Sequence, residues 1–288
     1  MIEPFIENIV CPKCRVSFKI SPEFWKCPSC GLLIPIQQGK PVFTPIPDKV
    51  VPSEKIIRRA DSGSRWRQAD WKFLEHEVEK LEAQAKILDI GCGRGDFASL
   101  FADHPFLELD IYPYPEVDLV CDLTLCVPFQ ENSFDLVVLM NVVEHVPEPQ
   151  TLLKVVYQLL SPGGIAVVAV PFMLKIHQAP VDFARFTHYA LQKMAMEIGF
   201  QVSGLQAFVD PAGMIAEAAR YYQYWEFPNL KFLQRIIARL YLFAIKVNVS
   251  GLELFSGRGQ LKDVKTMIYP APTGYHMVLK KSSQSFHS

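Results

Sequence analysis

Two features are missing from these 288 residues, namely long apolar runs and a basic segment followed by an apolar run at the start. No stretch approaches the roughly 18 uncharged apolar residues that a membrane-spanning helix needs. The first residues, MIEPFIE, contain no basic segment followed by an apolar run, which a secretory leader would have. We therefore expect a cytoplasmic protein. Half of the residues are hydrophobic, so we expect a globular chain with a large core rather than a disordered one.

Net charge is also almost absent, since the formal value is −1 at pH 7. The charge is unevenly spread, because residues 61–230 have an excess of acidic side chains whereas both ends of the chain have an excess of basic ones. An acidic surface repels phosphate groups, so the middle of the chain is not expected to bind nucleic acid. Either basic end remains able to contact phosphates.

A disulfide framework is not expected, because four of the seven cysteines form a metal-binding pattern. Cys11 and Cys14 belong to the sequence CPKC, and Cys27 and Cys30 belong to CPSC further along the chain. Each C-P-x-C turn directs two thiolates inward, and two such turns supply the four sulfurs of a tetrahedral zinc site. We predict a zinc ribbon over residues 1–46 whose zinc is structural, because four protein sulfurs leave no position for a substrate.

Three glycines at alternate positions follow a short apolar segment in the sequence KILDIGCGRGDF. The segment predicts a buried strand, which Gly91, Gly93 and Gly95 end. Glycines at this spacing allow a tight turn that brings backbone N–H groups close to a ligand, and a helix predicted over residues 96–101 would direct its positive end toward that ligand. Dinucleotide sites usually read G-x-G-x-x-G, whereas this loop reads D-x-G-x-G-x-G with Asp89 in the strand.

This loop resembles the first motif of class I S-adenosylmethionine-dependent methyltransferases of the type 11-like group, and the resemblance continues to about Val209. It implies an α/β, Rossmann-like fold with a doubly wound, mostly parallel sheet of seven strands, and S-adenosylmethionine as the cofactor. The alternation of predicted strands and helices agrees with such a sheet. The strands are predicted over residues 87–90, 106–111, 118–123, 136–140, 165–170, 200–208 and 274–280.

The N-terminal ribbon resembles the small zinc-ribbon domain that occurs as a methyltransferase-activating subunit or is fused in front of bacterial methyltransferases. The run CGLLIPIQQGKPVF carries this resemblance. It implies a structural or docking element, and it leaves open whether the ribbon binds substrate, a protein partner or its own domain. A linker is predicted over residues 47–64, and the methyltransferase domain over residues 65–288 with a helical insertion at about 211–268.

Acidic side chains at strand ends are the next candidates for cofactor binding. Asp110 ends the second predicted strand, where ligands bind in open α/β sheets, and would accept the ribose hydroxyls; alternatively it only forms a turn. The resemblance implies that Asp122 accepts from the adenine amino group, that Leu123 packs on the adenine, and that Asn141 lies beside the methyl-bearing sulfur. The predicted cofactor site therefore comprises Asp89, Gly91, Gly93, Gly95, Asp110, Asp122, Leu123 and Asn141.

Two later segments concern the methyl acceptor. The sequence NVVEHV, after the fourth predicted strand, resembles the EHV variant common in small-molecule methyltransferases and lacks the Asn/Asp-Pro-Pro-aromatic sequence of many N-methyltransferases. His145 in this segment is either a base or a residue that orders the loop. The sequence PFMLKIHQAPVDFARFTH resembles a passage of bacterial methyltransferases associated with cell-surface sugar, polysaccharide and lipid-linked pathways.

The predicted catalytic residues lie within that passage, because an apolar core has no need of a His, an Asp and an Arg together. His177 would take the proton of an acceptor hydroxyl, Asp182 would fix its tautomer, and Arg185 would orient an anionic group. The alternative is a salt-bridged loop that covers the site. Thr187 is predicted to cap the helix that follows.

Residues 231–246 predict a helix with an apolar and a basic face, which either lies on an anionic membrane surface or packs on its own domain as a lid. The whole sequence predicts an S-adenosylmethionine-dependent methyltransferase that acts at oxygen on a small, sugar or lipid-linked acceptor. Methylation of rRNA or tRNA, and a non-catalytic partner protein that binds S-adenosylmethionine, are the alternatives. Contact with the inner face of the membrane and a protein partner on the ribbon stay open.

Overall fold

The computed structural model describes residues 2–47, 64–210, 260–263 and 272–283, together with several helical positions between 236 and 247. The predicted linker, apart from its first and last residue, lies outside these residues. So does most of the predicted insertion, including much of the predicted basic helix over 231–246. No helix in the described residues is long and apolar enough to cross a membrane.

Besides the helical positions between 236 and 247, the described residues include three α-helices, twelve strands and three short 3-10 helices. The α-helices are α1 (Arg65–Val78), α2 (Pro149–Leu159) and α3 (His188–Ile198). The strands of the N-terminal ribbon are β1 (Lys19–Ile20), β2 (Phe24–Lys26), β3 (Leu33–Gln37) and β4 (Lys40–Pro41). The remaining strands are β5 (Ile87–Ile90), β6 (Phe106–Asp110), β7 (Leu119–Val120), β8 (Phe134–Met140), β9 (Leu160–Pro171), β10 (Gln201–Val209), β11 (Gln260–Asp263) and β12 (Gly274–Lys280). The 3-10 helices are Glu3–Asn8, Ala98–Phe101 and Val143–His145.

Eight strands form one sheet in the order β7-β6-β5-β8-β9-β12-β10-β11. The strands from β7 to β9 run parallel, and β12, β10 and β11 are joined antiparallel. This arrangement confirms the predicted doubly wound, mostly parallel fold. The predicted helical insertion contributes β11, so it is not wholly helical, and the sheet has one strand more than the seven predicted.

The parallel strands form because their sequences are almost continuously apolar, which suits a sheet covered on both faces. All four residues of β5 are buried, and only one residue of β8 is partly exposed. Thr187 caps α3 as predicted, since its hydroxyl oxygen accepts from the Ala190 N–H at 3.2 Å. The same helix ends at Gly199, whose φ of 111° lies in the left-handed region that glycine favours.

The helix predicted over residues 96–101 is only a 3-10 turn, Ala98–Phe101. The chain reaches Pro105 and then β6 directly afterwards, and a proline disfavours helical backbone at the residue before it. The prediction that a helix directs its positive end toward a ligand at the glycine loop was therefore wrong. The backbone N–H groups of the loop itself are what a ligand there would meet.

The N-terminal ribbon shares a core with the large sheet. Phe5 is fully buried and its ring lies 5.7 Å from that of Phe134 in β8. Ile9 and Phe129 form an antiparallel bridge. One hydrophobic cluster joins the ribbon's Trp25 to the strands of the large sheet. The ribbon is thus packed on its own methyltransferase-like domain, which is one of the alternatives that the sequence left open.

Polar groups fasten the same contact. The Arg15 guanidinium donates to the carbonyl oxygens of Val127 and Phe129, and the Lys40 ammonium donates to the carbonyl of Pro115 at 2.8 Å. Val42 forms a parallel bridge with Val120, so the end of the ribbon extends the large sheet beyond β7. These bonds pair backbone carbonyls that would otherwise lose their partners on burial.

Replacing Phe5 by Ala should lower the free energy of unfolding of the whole chain by about 3–5 kcal/mol, because it removes a buried aromatic ring from the shared core. Urea denaturation followed by both fluorescence and circular dichroism should show one shifted transition. The matched control is Phe24→Ala in β2, where the side chain is exposed and the effect should be small. A separate ribbon transition, with the rest of the chain unchanged, would show that the two parts fold independently.

Candidate functional site

The glycine loop lies at the carboxyl edge of the parallel strands. Gly91 and Gly93 have φ values of 70° and 58°, which residues other than glycine rarely adopt. A Cβ atom on Gly91 would lie 2.6 Å from Val142, so this position allows the loop to approach the segment after β8. A Cβ atom on Gly93 would meet nothing within 4 Å. The open space beside Gly93 is where the backbone can approach a bound cofactor.

Asp110 braces this loop. Its Oδ2 accepts from the Gly93 N–H at 3.0 Å, and its Oδ1 accepts from the Tyr112 N–H at 2.9 Å. Burial raises the pKa of Asp110, whereas these backbone N–H groups lower it. The structure thus places Asp110 beside the loop and shows that it holds the loop backbone, whereas its contact with the ribose remains a prediction.

Asp89 is a buried acid at the end of β5. Its Oδ2 has no hydrogen-bond partner. Burial raises the pKa of Asp89 well above its usual range, the charges of Glu108 and Asp110 raise it further, and the charge of Arg67 lowers it. A buried carboxylate oxygen without a partner is costly, and a cationic group compensates for it. S-adenosylmethionine carries an ammonium and a sulfonium, so the residues present fit this cofactor.

Asp122 and Leu123 lie in the loop after β7, next to the end of the ribbon. The Asp122 N–H donates to the hydroxyl oxygen of Thr44 at 2.8 Å, and its Oδ1 accepts from the N–H and hydroxyl of Thr124. Because this loop turns toward Thr44, the third predicted strand shortens to β7. Leu123 is buried in the main core. The predicted contacts of Asp122 and Leu123 with adenine remain predictions.

Asn141 has both ends of its side-chain amide bound to α1. Its Nδ2 donates to Asp70 at 2.9 Å, and its Oδ1 accepts from the Trp66 indole N–H at 3.0 Å. Asp70 is fully buried and its other oxygen lies 2.7 Å from Nε2 of His276, which is also fully buried. Asn141 therefore links α1 to the loop after β8. The sequence offered no sign of this network, because Asp70 and His276 are far apart along the chain.

The three predicted catalytic residues lie together after β9. The Arg185 guanidinium donates to Asp182 at 2.6 and 2.8 Å, and Nδ1 of His177 lies 3.2 Å from Asp182 Oδ2. The bonds from Arg185 lower the pKa of Asp182 below its usual range. Arg185 also donates to the carbonyls of Leu174 and Lys175. Arg185 thus fastens the loop, and its donors are engaged rather than directed at an anionic acceptor.

Glu144 and His145 face His177 across this edge. Glu144 is completely buried, and neither carboxylate oxygen has a hydrogen-bond partner. Burial raises the pKa of Glu144 to about 8. Its Oε1 lies 3.6 Å from Nε2 of His145 and 3.9 Å from Nε2 of His177. The sequence analysis did not select Glu144, although an acid beside a histidine in the otherwise apolar NVVEHV segment was a usable signal.

The four ribbon cysteines also converge. Their sulfur atoms lie within 4.8 Å of one another, and the sulfurs of Cys11 and Cys30 are 3.7 Å apart. Four sulfurs around zinc at about 2.3 Å require separations of about 3.8 Å, so the group fits the predicted zinc. Without a metal the thiols differ, because the backbone N–H of Cys30 lowers the pKa of Cys27 to about 7, whereas burial raises the pKa of Cys11 and the hydrogen bond with Cys30 raises that of Cys14 to about 11. The two remaining predicted ligands, Cys14 and Cys27, complete the set.

Comparison with known proteins identifies relatives of the larger part of the chain. The profile of a family described as "Methyltransferase domain" matches residues 64–239. The ubiquinone biosynthesis O-methyltransferase of Psychrobacter arcticus is 27% identical in an alignment of 158 residues, and the match covers 41% of this chain and 60% of that protein. An uncharacterized protein of Methanocaldococcus jannaschii is 36% identical over 124 residues, 40% of this chain and 55% of its own. The chain thus spans about half the length of the curated relatives it matches.

Among solved structures, a SAM dependent methyltransferase from Archaeoglobus fulgidus has a TM-score of 0.48 and 18% sequence identity. The match covers 76% of this chain and 95% of that one. A complex of the Haloferax volcanii Trm112 methyltransferase activator with a methyltransferase gives a TM-score of 0.47 at 15% identity, over 75% of this chain and 91% of that one.

Replacing Asp110 by Asn should weaken S-adenosylmethionine binding about ten- to hundredfold, because a hydrogen bond to a charged group contributes roughly 1.5–3 kcal/mol. Titration calorimetry measures the effect. Asp103→Asn, at an exposed position before β6, is the matched control and should bind like the parent protein. Equal affinity in Asp110→Asn and the parent would exclude the ribose role.

Replacing Thr44 by Val should weaken the same binding by about two- to tenfold, because it removes the hydrogen bond that holds the Asp122 loop in place, and one such bond contributes about 0.5–1.5 kcal/mol. Ser21→Ala, in the ribbon but away from this loop, serves as control. Unchanged affinity would show that the ribbon has no influence on the Asp122 loop.

Proposed function

Because the chain belongs to the methyltransferase-domain family, we propose that it transfers a methyl group from S-adenosylmethionine to an oxygen atom of a small, sugar or lipid-linked acceptor. The observation that carries this proposal is the polar cluster at the carboxyl edge of the sheet. It contains two buried carboxylates, Asp89 and Glu144, each with at least one oxygen that lacks a hydrogen-bond partner. The first lies at the glycine loop, and the second faces two histidines.

The cofactor side of this proposal uses residues of the glycine loop and the strand ends. Asp89 would pair with a cationic group of the cofactor, Gly93 would leave room for it, and Asp110 would accept its ribose hydroxyls. S-adenosylmethionine, when bound, supplies an electrophilic methyl group. The protein then needs chiefly to align the acceptor with that methyl group, which is an effect of positioning. The bonds of Asn141 to α1 support such positioning by holding the loop after β8.

On the acceptor side, His177 has the geometry of a group that acts on a hydroxyl. Its Nδ1 faces Asp182, so its Nε2 carries the lone pair. In the simplest case this lone pair takes the proton that the acceptor loses. The names of two relatives favour oxygen as the methylated atom, since both are ubiquinone biosynthesis O-methyltransferases, at 27% and 25% identity.

The alternative functions have less support. An RNA methyltransferase would have to bind a polyanion beside residues 61–230, which have an excess of acidic side chains, and like charges repel. A non-catalytic protein that only binds S-adenosylmethionine has no use for the histidines opposite Glu144. A membrane contact through 231–246 rests on residues most of which lie outside those described. A protein partner would meet the outer face of the ribbon, where Ile20 and Leu33 are exposed.

The activity is tested by incubating the full chain with methyl-labelled S-adenosylmethionine and the lipid, small-molecule and RNA fractions of a cell extract. Label should enter the lipid or small-molecule fraction. His177→Ala should slow this transfer about 10²–10⁴-fold while cofactor affinity stays the same, because it removes the lone pair that acts on the hydroxyl. The matched control is His76→Ala on the exposed face of α1. Label in RNA alone, or a full rate in His177→Ala, would contradict the proposal.

A further inference from the structure

We propose that Glu144, His145 and His177 bind a divalent transition-metal ion at the acceptor side of the sheet edge. The three side chains come from two loops, one after β8 and one after β9. One ligand atom from each lies within 4.8 Å of the other two. In the described residues, this group and the four ribbon cysteines are the sets of potential ligands that converge in this way.

The tautomer of His145 leaves a free lone pair. Its Nδ1 lies 2.5 Å from the carbonyl oxygen of Val181, and a carbonyl only accepts hydrogen bonds. Nδ1 must therefore carry the proton, and Nε2 carries the lone pair. This Nε2 is buried, has no hydrogen-bond partner and faces Glu144. Metal-binding histidines are held in the same way, with the second nitrogen donating to a carbonyl or carboxylate.

The tautomer of His177 follows from the donors of Arg185. Nη2 of Arg185 lies 3.4 Å from Nδ1 of His177, but its two protons are already directed to Asp182 at 2.8 Å and to the carbonyl of Lys175 at 2.9 Å. Nδ1 of His177 therefore carries its own proton toward Asp182. Its Nε2 lone pair points toward Glu144 at 3.9 Å. Two imidazole lone pairs and one carboxylate are thus aimed at one volume.

Burial of Glu144 is the independent reason to expect a cation there. The side chain is completely buried and both oxygens lack hydrogen-bond partners. An ionised carboxylate in that position costs several kcal/mol unless a positive charge compensates for it. Arg185 is engaged with Asp182, so those two charges balance each other. A bound cation would compensate for the ionised form of Glu144, and a divalent ion on that carboxylate and two neutral imidazoles would leave the site with a single positive charge.

Two imidazole nitrogens and one carboxylate suit ions such as Zn²⁺, Fe²⁺, Co²⁺ or Ni²⁺ better than Ca²⁺, which prefers oxygen alone. Ligands at about 2.1 Å from the ion stand about 3.0–3.5 Å apart, so small side-chain rotations must bring them closer than the observed 3.6 and 3.9 Å. Three protein ligands leave at least one open position. His177 is 23% exposed, which provides access to that position.

The chemical consequence rests on the proposed O-methylation. An acceptor hydroxyl in the open position would lose its proton to solvent, because a bound divalent ion lowers the pKa of an oxygen ligand. Its oxygen would then use a lone pair to form the C–O bond, while the methyl–sulfur bond of the cofactor breaks and its electron pair stays on sulfur. With an ion bound, the Nε2 lone pair of His177 would be a metal ligand and would not take the proton itself, and the ion would promote the loss of that proton instead.

The test uses the full chain with its ribbon zinc in place and Co²⁺ as the probe. We expect one zinc per chain by metal analysis and one further equivalent of Co²⁺ in a titration, with visible bands but no sulfur-to-cobalt charge transfer. Glu144→Gln and His177→Ala should each weaken Co²⁺ binding more than about 100-fold, because loss of an outer-shell partner alone costs 10–100-fold. Asp182→Asn should fall within that 10–100-fold range, and His76→Ala should bind like the parent.

Circular dichroism and S-adenosylmethionine affinity show whether each variant is folded, and the two ligand variants lie on different loops. The proposal fails if the folded parent binds no Co²⁺ beyond the ribbon, or if Co²⁺ binds equally well to both folded ligand variants. Failure of the proposed function is distinct. It appears as normal Co²⁺ binding with no label in any hydroxyl-bearing fraction. If the chain transfers label but binds no Co²⁺, the metal proposal is wrong and the proposed methyl transfer stands.

Discussion

Buried carboxylates at one edge of the sheet are the constraint on which the site depends. Each of them must find a partner, because an isolated charge in a protein interior is strongly unfavourable. Asp110 accepts from two backbone N–H groups, and Asp70 meets His276 and Asn141. Asp89 and Glu144 have oxygens without such partners. In the part of the chain that the structure describes, a positively charged ligand would compensate for either of these oxygens, one beside the glycine loop and one beside the histidines.

The ribbon and the large sheet depend on each other through the loop after β7. Thr44 follows directly on the strand-like bridge of Val42 with Val120, and it accepts the Asp122 N–H. A metal ion held by the four ribbon cysteines would therefore also steady the chain that reaches the predicted adenine pocket. Such a site, with all four positions filled by protein sulfur, would influence cofactor binding through the backbone and not through chemistry.

The sequence predicted the parts of the fold that rest on local patterns. The apolar strand before D-x-G-x-G-x-G, the two C-P-x-C turns and the cap at Thr187 are all short-range features, and each appears in the structure where it was expected. Their physics is contained within a few residues. Even the loop that joins His177 to Asp182 was recognisable from its polar residues in an apolar setting.

Features that depend on contacts between distant parts of the chain were not predicted from the sequence. The pairing of Asp70 with His276 depends on α1 lying against β12, and no local pattern encodes that contact. Glu144 lacks a partner only because the surrounding loops enclose it. The strand β11 arises from pairing with β10, which its own four residues do not specify. The expected dipole at the glycine loop failed for a similar reason, because the short path to β6 prevents a full helix.

The loop after β8 lies close to both proposed cation positions, the one beside Asp89 and the one beside Glu144, so the charges at the two positions would influence each other. Val142 packs against Gly91 of the cofactor loop, Asn141 is bound to Asp70, and Glu144 faces the histidines. A cationic cofactor and a divalent ion on either side of this loop would repel each other. An acceptor whose oxygen has lost its proton would lie between them with a negative charge and relieve that repulsion. A neutral amine would not, so the two proposed cations, if both bind, would favour oxygen as the atom that is methylated.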